Sequence, residues 1–116
     1  MVNNKQFDGD PHKLDLIFKA LSDSTRRAII ERLSASDALV SELAEPLNMS
    51  LPAVSKHLGI LEKAGLLSRE KKGRVRQCSL NVGPLKNATD WIEFYKNFWG
   101  SRLNALDQYL RKDREE

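Results

Sequence analysis

Between Met49 and Gly65 the chain gathers Ser50, Ser55, Lys56 and His57: two hydroxyls, an ammonium and an imidazole in close succession. This set does not suit nucleophilic catalysis. Ser55 and His57 are two residues apart, so on a helix their side chains diverge by about 200° and form no nucleophile–base pair. No glycine-rich phosphate loop, spaced pair of catalytic carboxylates or supported Ser/His/Asp set occurs elsewhere, so the sequence does not read as an enzyme. What the cluster suits is hydrogen bonding and charge pairing. Serine and histidine can serve base edges or phosphates, while lysine more often grips phosphate.

Those side chains need a scaffold, and the same stretch supplies it. Ser50 is a good N-cap, Pro52 falls in a first helical turn, and Gly65 stands where a left-handed residue ends a helix. Val54, Leu58 and Leu61 recur at i, i+4 and i+7, which predicts a helix over 51–64 with one buried stripe. Such a helix matches the width of the DNA major groove. Upstream, Ser41 to Leu47 predicts a shorter helix with Leu43, Ala44 and Leu47 inward and Pro46 near its end. Asn48-Met49-Ser50 is the tight link, and the pair reads as a helix-turn-helix.

Around that pair the pattern extends both ways. Residues 1–10 are polar and expected to fray. Pro11 opens a helix with Leu14, Ile17, Phe18 and Leu21 on one stripe. Asp23 or Ser24 caps a second, with Ala28, Ile29 and Leu33 expected inward and Arg26, Arg27, Glu31 and Arg32 outward. Ala38 to Val40 is a short extended piece. After Gly65 the period changes to alternation. Lys72-Gly73 lies between two strand-like runs and predicts a basic hairpin over 67–81. Neither hairpin face is cleanly apolar, so the buried face stays open. Pro84 starts a last helix, 84–110, of roughly 27 residues, with a charged tail at 111–116. Its apolar positions step by three and four through Leu85, Ala88, Trp91, Ile92, Tyr95, Phe98, Trp99, Leu103, Leu106, Tyr109 and Leu110. These aromatics either complete the core of one chain or form a seam between two. One short domain cannot cover so long a stripe, so a seam shared with the first helix is preferred.

Composition bounds the class. A chain of 116 residues, 41% hydrophobic and 30% charged, reads as one soluble domain. No apolar run approaches the ~20 residues of a membrane span, and the N-terminus does not read as a signal peptide. The single cysteine, Cys78, excludes an internal disulfide and agrees with a cytoplasmic protein. The net charge of +3 is unevenly spread. Residues 1–47 carry six Lys/Arg against eight Asp/Glu, 84–116 six against six, and 48–83 seven against two. That excess is either a solvated patch or the footprint of a nucleic-acid surface, and its place beside the polar-faced helix favours the second.

The residues Phe18-Lys19-Ala20-Leu21-Ser22-Asp23-Ser24-Thr25-Arg26-Arg27, Val40-Ser41-Glu42-Leu43-Ala44, Ser50-Leu51-Pro52-Ala53-Val54-Ser55-Lys56-His57-Leu58 and Leu61-Glu62-Lys63-Ala64-Gly65-Leu66-Leu67 resemble the ArsR/SmtB family of winged-helix repressors. The likeness covers nearly all of residues 11–110. It implies a mainly α fold with a small β-hairpin wing, in the order α-α-(β)-α-α-β-β-α. It also implies a homodimer joined through first and last helices, on an imperfect palindrome of double-stranded DNA, repressing until an inducer releases it. On that likeness Ser50, Ala53, Ser55, Lys56 and His57 are candidates for groove contact, and Lys71, Lys72, Arg74 and Arg76 for the wing on backbone or minor groove. Leu14, Ile17 and Phe18 with Trp91, Tyr95, Phe98, Trp99, Leu103, Leu106 and Leu110 would form the seam.

The chain departs from the family's metal sensors. The third helix lacks cysteine, and the only histidines are His12 and His57, neither in the last helix. Carboxylates such as Asp90 and Asp107 across a dimer make a poor zinc site, so no metal or cofactor is expected. Arg74 and Arg76 near Cys78 would favour its thiolate, but the family's redox sensors use cysteine pairs. No residue set identifies an inducer. The competing reading is a winged-helix interaction module that acts through the aromatic helix alone. It leaves the basic hairpin without a purpose.

Overall fold

The protein's structure, a computed structural model, describes residues 9–115. Residues 1–8 of the expected frayed segment lie outside them. Asp10, by contrast, has a structural role: its carboxylate accepts from the His12 N–H at 2.9 Å and caps α1 (Pro11–Leu21). Asp23 caps α2 (Ser24–Ala35), accepting from the Thr25 and Arg26 N–H groups at 2.9 and 3.1 Å. Both carboxylates satisfy N–H groups that a helix start leaves unpaired.

A two-residue β1 (Ala38–Leu39) leads directly into α3 (Val40–Leu47), which Asn48 closes in the left-handed region at φ 52°. Then come α4 (Leu51–Lys63), β2 (Leu67–Lys72), β3 (Val75–Leu80) and α5 (Gly83–Glu115). The β strands form one antiparallel sheet in the order β1-β3-β2. Its hairpin turns at Gly73-Arg74, one residue later than expected, with Lys72 opposite Val75. Gly73 takes the positive φ of 65° that a tight hairpin turn needs in its first position. This register also settles the buried face: Leu67 and Cys78 face the core, and Leu80 is half-buried against it.

That core is continuous, built from Ile17 and Ala20 of α1, Ile29 and Leu33 of α2, Leu43 and Ala44 of α3, and Val54, Leu58 and Leu61 of α4. Two expectations fail in α2. Ala28 is exposed, and Arg26 is buried at 8% exposure rather than facing outward. The reason is chemical: the Arg26 guanidinium finds carbonyl partners inside, which apolar periodicity does not register. Leu14 and Ile17, expected at a seam between chains, are likewise buried in this chain's own core.

α5 runs for 33 residues, so positions 111–115 of the expected tail continue the helix, and position 116 lies outside the described residues. Nothing after Gly100 breaks it, and the i,i+4 pair of Asp107 and Arg111 at 3.1 Å supports the far end. At 1.5 Å per residue it is about 50 Å long. Only its first turns are held by the domain, through buried Ala88 and half-buried Leu85. The structure is thus mostly helical with a three-stranded sheet, a winged helix with one long projecting rod.

Candidate nucleic-acid interface

α4 is fixed at its start and along its inner face. The Ser50 hydroxyl accepts from the Ala53 N–H at 3.3 Å, and Gly65 at φ 76° follows its end. Val54, Leu58 and Leu61 are completely buried. Ser50, Leu51, Pro52 and Lys56 are exposed, and Ala53 is half-buried. The exposed positions belong largely to the first half of the helix, the part that a helix-turn-helix offers to base edges.

Two arginines from other elements hold the flanks. Arg69 of β2 donates from Nη1 to the Ser55 hydroxyl at 3.2 Å and from Nη2 to the Glu62 carboxylate at 2.5 Å. The wing is thereby strapped to α4, and hydrogen bonding to the Glu62 carboxylate raises the Arg69 pKa above its ordinary value. On the opposite flank Arg26 donates from Nε to the Ala20 carbonyl at 2.9 Å and from Nη2 to the Lys19 carbonyl at 2.8 Å. Its Nη1 lies 3.1 Å from His57 Nδ1. A guanidinium only donates, so Nδ1 accepts and the neutral ring carries its hydrogen on Nε2.

This corrects the expectation that His57 stands outward beside Lys56. Its ring is 20% exposed and turned to α2, with Nδ1 also 3.8 Å from the Asp23 carboxylate. On a helix, position 57 lies beside the 54–58–61 stripe, so the neighbouring element claims it. Hydrogen bonding from the Arg26 backbone N–H, then from that of Thr25, holds the Asp23 carboxyl below its ordinary 3.8, against a partial opposing effect of desolvation.

In the wing, Lys71, Lys72, Arg74 and Arg76 are all exposed, and among the described residues none has an ion-pair partner. Arg74 and Arg76 line one shallow cavity with Leu51, which brings the hairpin tip and the start of α4 onto one face. Lys71 and Lys72 stand apart from that cavity, at the end of β2. Beneath the hairpin Cys78 is fully buried, across from Arg69 rather than among Arg74 and Arg76. Burial pushes its thiol above the ordinary 9.0, with Arg69 opposing, so the expected thiolate is not favoured.

The aromatic residues of α5 pack on one another and on α1. Trp91 meets the half-buried Phe18 edge-on at 5.6 Å and Tyr95 at 4.8 Å, while Phe98 and Trp99 lie edge-on at 5.1 Å. Trp91 and Trp99 remain exposed, as do Leu103, Leu106 and Leu110 beyond them. Sequence reasoning missed the roles of Asp23, Arg26 and Arg69. Asp23 was legible only as a cap, and for the two arginines periodicity gave no signal, since apart from Ser22 their side-chain partners lie 6 to 31 residues away.

Residues 21–70 match a family model described as a helix-turn-helix domain. The transcriptional repressor SdpR of Bacillus subtilis is 40% identical over 76 residues, which are 66% of this chain and 84% of that protein. The HTH-type transcriptional regulator Rv2034 of Mycobacterium tuberculosis is 36% identical over 102 residues, 88% of this chain and 92% of its own. Among solved structures, the ArsR family transcriptional regulator RHA00566 superposes with a TM-score of 0.78 at 41% identity, covering 82% of this chain and 98% of that one. An ArsR-like regulator from Rhodococcus sp. RHA1 gives 0.73 at 33%, covering 87% and 93%. With its polar-faced α4, basic wing and these likenesses, the chain belongs to the ArsR family of winged helix-turn-helix regulators, DNA-binding transcription factors rather than enzymes.

Proposed function

We propose that the chain is a homodimeric repressor. Two copies join along α5 and α1, place their α4 helices in successive major grooves of a palindromic operator, and rest their wings on the backbone or in the minor groove. Ser50, Ala53 and Lys56 lead the groove contact, with Ser55 at its wing side. His57 acts chiefly as an anchor, and Arg74 and Arg76 lead the wing contact. The chain works in the cytoplasm on double-stranded DNA and needs no metal or cofactor.

One observation carries the pairing: the apolar row that α5 leaves in water. Trp99 is 45% exposed, Leu103 62%, Leu106 54% and Leu110 47%. A continuous row of this kind exceeds the scattered apolar residues of a monomer surface. A second copy of the same helix would cover it symmetrically. Gly100 lies within the row and a Cβ there would meet nothing within 4 Å, which leaves room for a close helix crossing. Repression draws support from the Bacillus subtilis relative, named a transcriptional repressor.

Sedimentation and mobility shift test this directly. The protein should sediment as two chains at micromolar concentration and retard DNA from upstream of its own gene. A Trp99→Glu/Leu106→Glu variant should sediment as one chain and lose the shift. A one-chain mass for the unaltered protein, with no DNA bound, would refute the reading.

A further inference from the structure

Gly59 occupies the middle of α4, where only proline is a poorer residue. A Cβ at that position would meet nothing within 4 Å, so internal packing does not require the missing methyl group. The empty space belongs to a groove between α1 and α4, a cavity of about 320 Å³ lined by Leu16, Lys19, Lys56, Gly59, Ile60 and Lys63. Lys56, Gly59 and Lys63 follow at i, i+3 and i+7 and so share one face of α4. Lys19 lines the cavity from the last turn of α1. No carboxylate lines the groove, and among the described residues none of its three ammonium groups has an ion pair. Lys63 also lines the adjoining cavity together with Lys13, which extends the basic strip along α1.

We propose that this α1–α4 groove is a second DNA-backbone site, in which Lys19, Lys56 and Lys63 hold a phosphate of the operator. Gly59 lets that strand lie against the helix backbone, the close approach for which glycine is suited. The site rests on the operator-binding reading above and adds α1 to the protein's footprint. Lysines act on phosphate as point charges and read no sequence, so the groove contributes register and affinity without discriminating bases.

The test is an anisotropy titration of the full chain against duplex from upstream of its gene, over a range of salt, alongside thermal melting. Gly59→Ala should raise the melting temperature by about 4 °C, because alanine favours the helix. The same variant should bind DNA about tenfold more weakly, because its methyl group stands where the strand must lie. A merely structural glycine would not produce these opposite signs. The Lys19→Gln/Lys63→Gln variant should flatten the log-affinity against log-salt slope by about 0.9 per protomer, the share of the one phosphate held in the groove. If Gly59→Ala keeps wild-type affinity or melts lower, or if the lysine variant keeps the wild-type slope, this site is overturned while operator binding stands. If the wild-type protein binds no duplex, both readings are overturned.

Discussion

Arg26→Ala is the sharpest test of the internal architecture, because sequence pattern and structure assign this side chain opposite places. Four bonds are lost, the weakest a 3.5 Å contact from Nη2 to the exposed Ser22 hydroxyl that contributes little. The one to the Ala20 carbonyl at 2.9 Å is fully buried, so its loss strands an acceptor at about 1–3 kcal/mol. Lys19 is exposed and His57 is 20% exposed, so their acceptors regain water and each bond contributes only about 0.5 kcal/mol. The total is about 3 kcal/mol, which for a domain of this size lowers the melting temperature by roughly 10 °C. Arg26→Lys should recover less than half, since an ammonium cannot reproduce the planar fork that meets two carbonyls and an imidazole together. Thermal melts at matched protein concentration measure this, concentration being held because dimer formation shifts apparent stability. Nitrogen NMR of the imidazole adds a second signal: with Arg26 gone, the Nε2–H tautomer of His57 loses its enforcement. An Arg26→Ala loss within about 0.5 kcal/mol, the range of an ordinary surface change, would refute the inward placement.

Three further outcomes follow from the same contacts. A dimer that neutralises ~6–8 phosphates should show a log-affinity against log-salt slope of roughly −5 to −7, and Arg74→Gln should weaken operator and random DNA alike; selective loss on the operator would mean that Arg74 reads bases. Cys78 should react with iodoacetamide far more slowly in the folded protein than in urea, and stability should decline as pH rises past the unfolded thiol's value, since the folded state keeps the proton longer; equal rates folded and unfolded would refute the burial. Asp23 is depressed in the fold, so its stabilising contribution is present above its ordinary 3.8 and lost as pH falls through the lower folded value. Asp23→Asn should therefore shrink the acid limb of a stability profile, and an unchanged limb would contradict the cap.

Elements and their order were legible because they rest on local rules. Ser50, Pro52 and Gly65 bound α4 by backbone chemistry that acts within a few residues, and Val54, Leu58 and Leu61 mark its inner face by periodicity alone. Where the local rule is weaker, the boundary moved. The hairpin turn fell at Gly73-Arg74 because strand pairing, not the nearest glycine on the left, decides which two residues turn. α5 ran past its expected end because no residue beyond Gly100 opposes a helix, and charge in a sequence does not distinguish a solvated helix from a tail.

The interface was less legible for a different reason. Periodicity sorts residues into inward and outward by polarity, and an arginine breaks the sorting whenever a helix end presents free carbonyls to it. Arg26 is such a case: α1 ends just before α2 begins, and its end turns the Ala20 carbonyl, with that of Lys19 which also accepts from the Ser22 N–H, toward the guanidinium. Once the guanidinium turns in to meet them, its third nitrogen reaches His57, so a residue that looks like a DNA contact becomes an internal acceptor. Ser55 is engaged from the opposite flank by Arg69. Of the polar residues on α4 that invite a groove reading, Lys56 alone keeps a side chain without a partner among the described residues, and it stands on the same face as Gly59 and Lys63. The polar residues nearest the buried stripe therefore hold α4 in place, and the face proposed to meet DNA is the one sequence composition makes look plain.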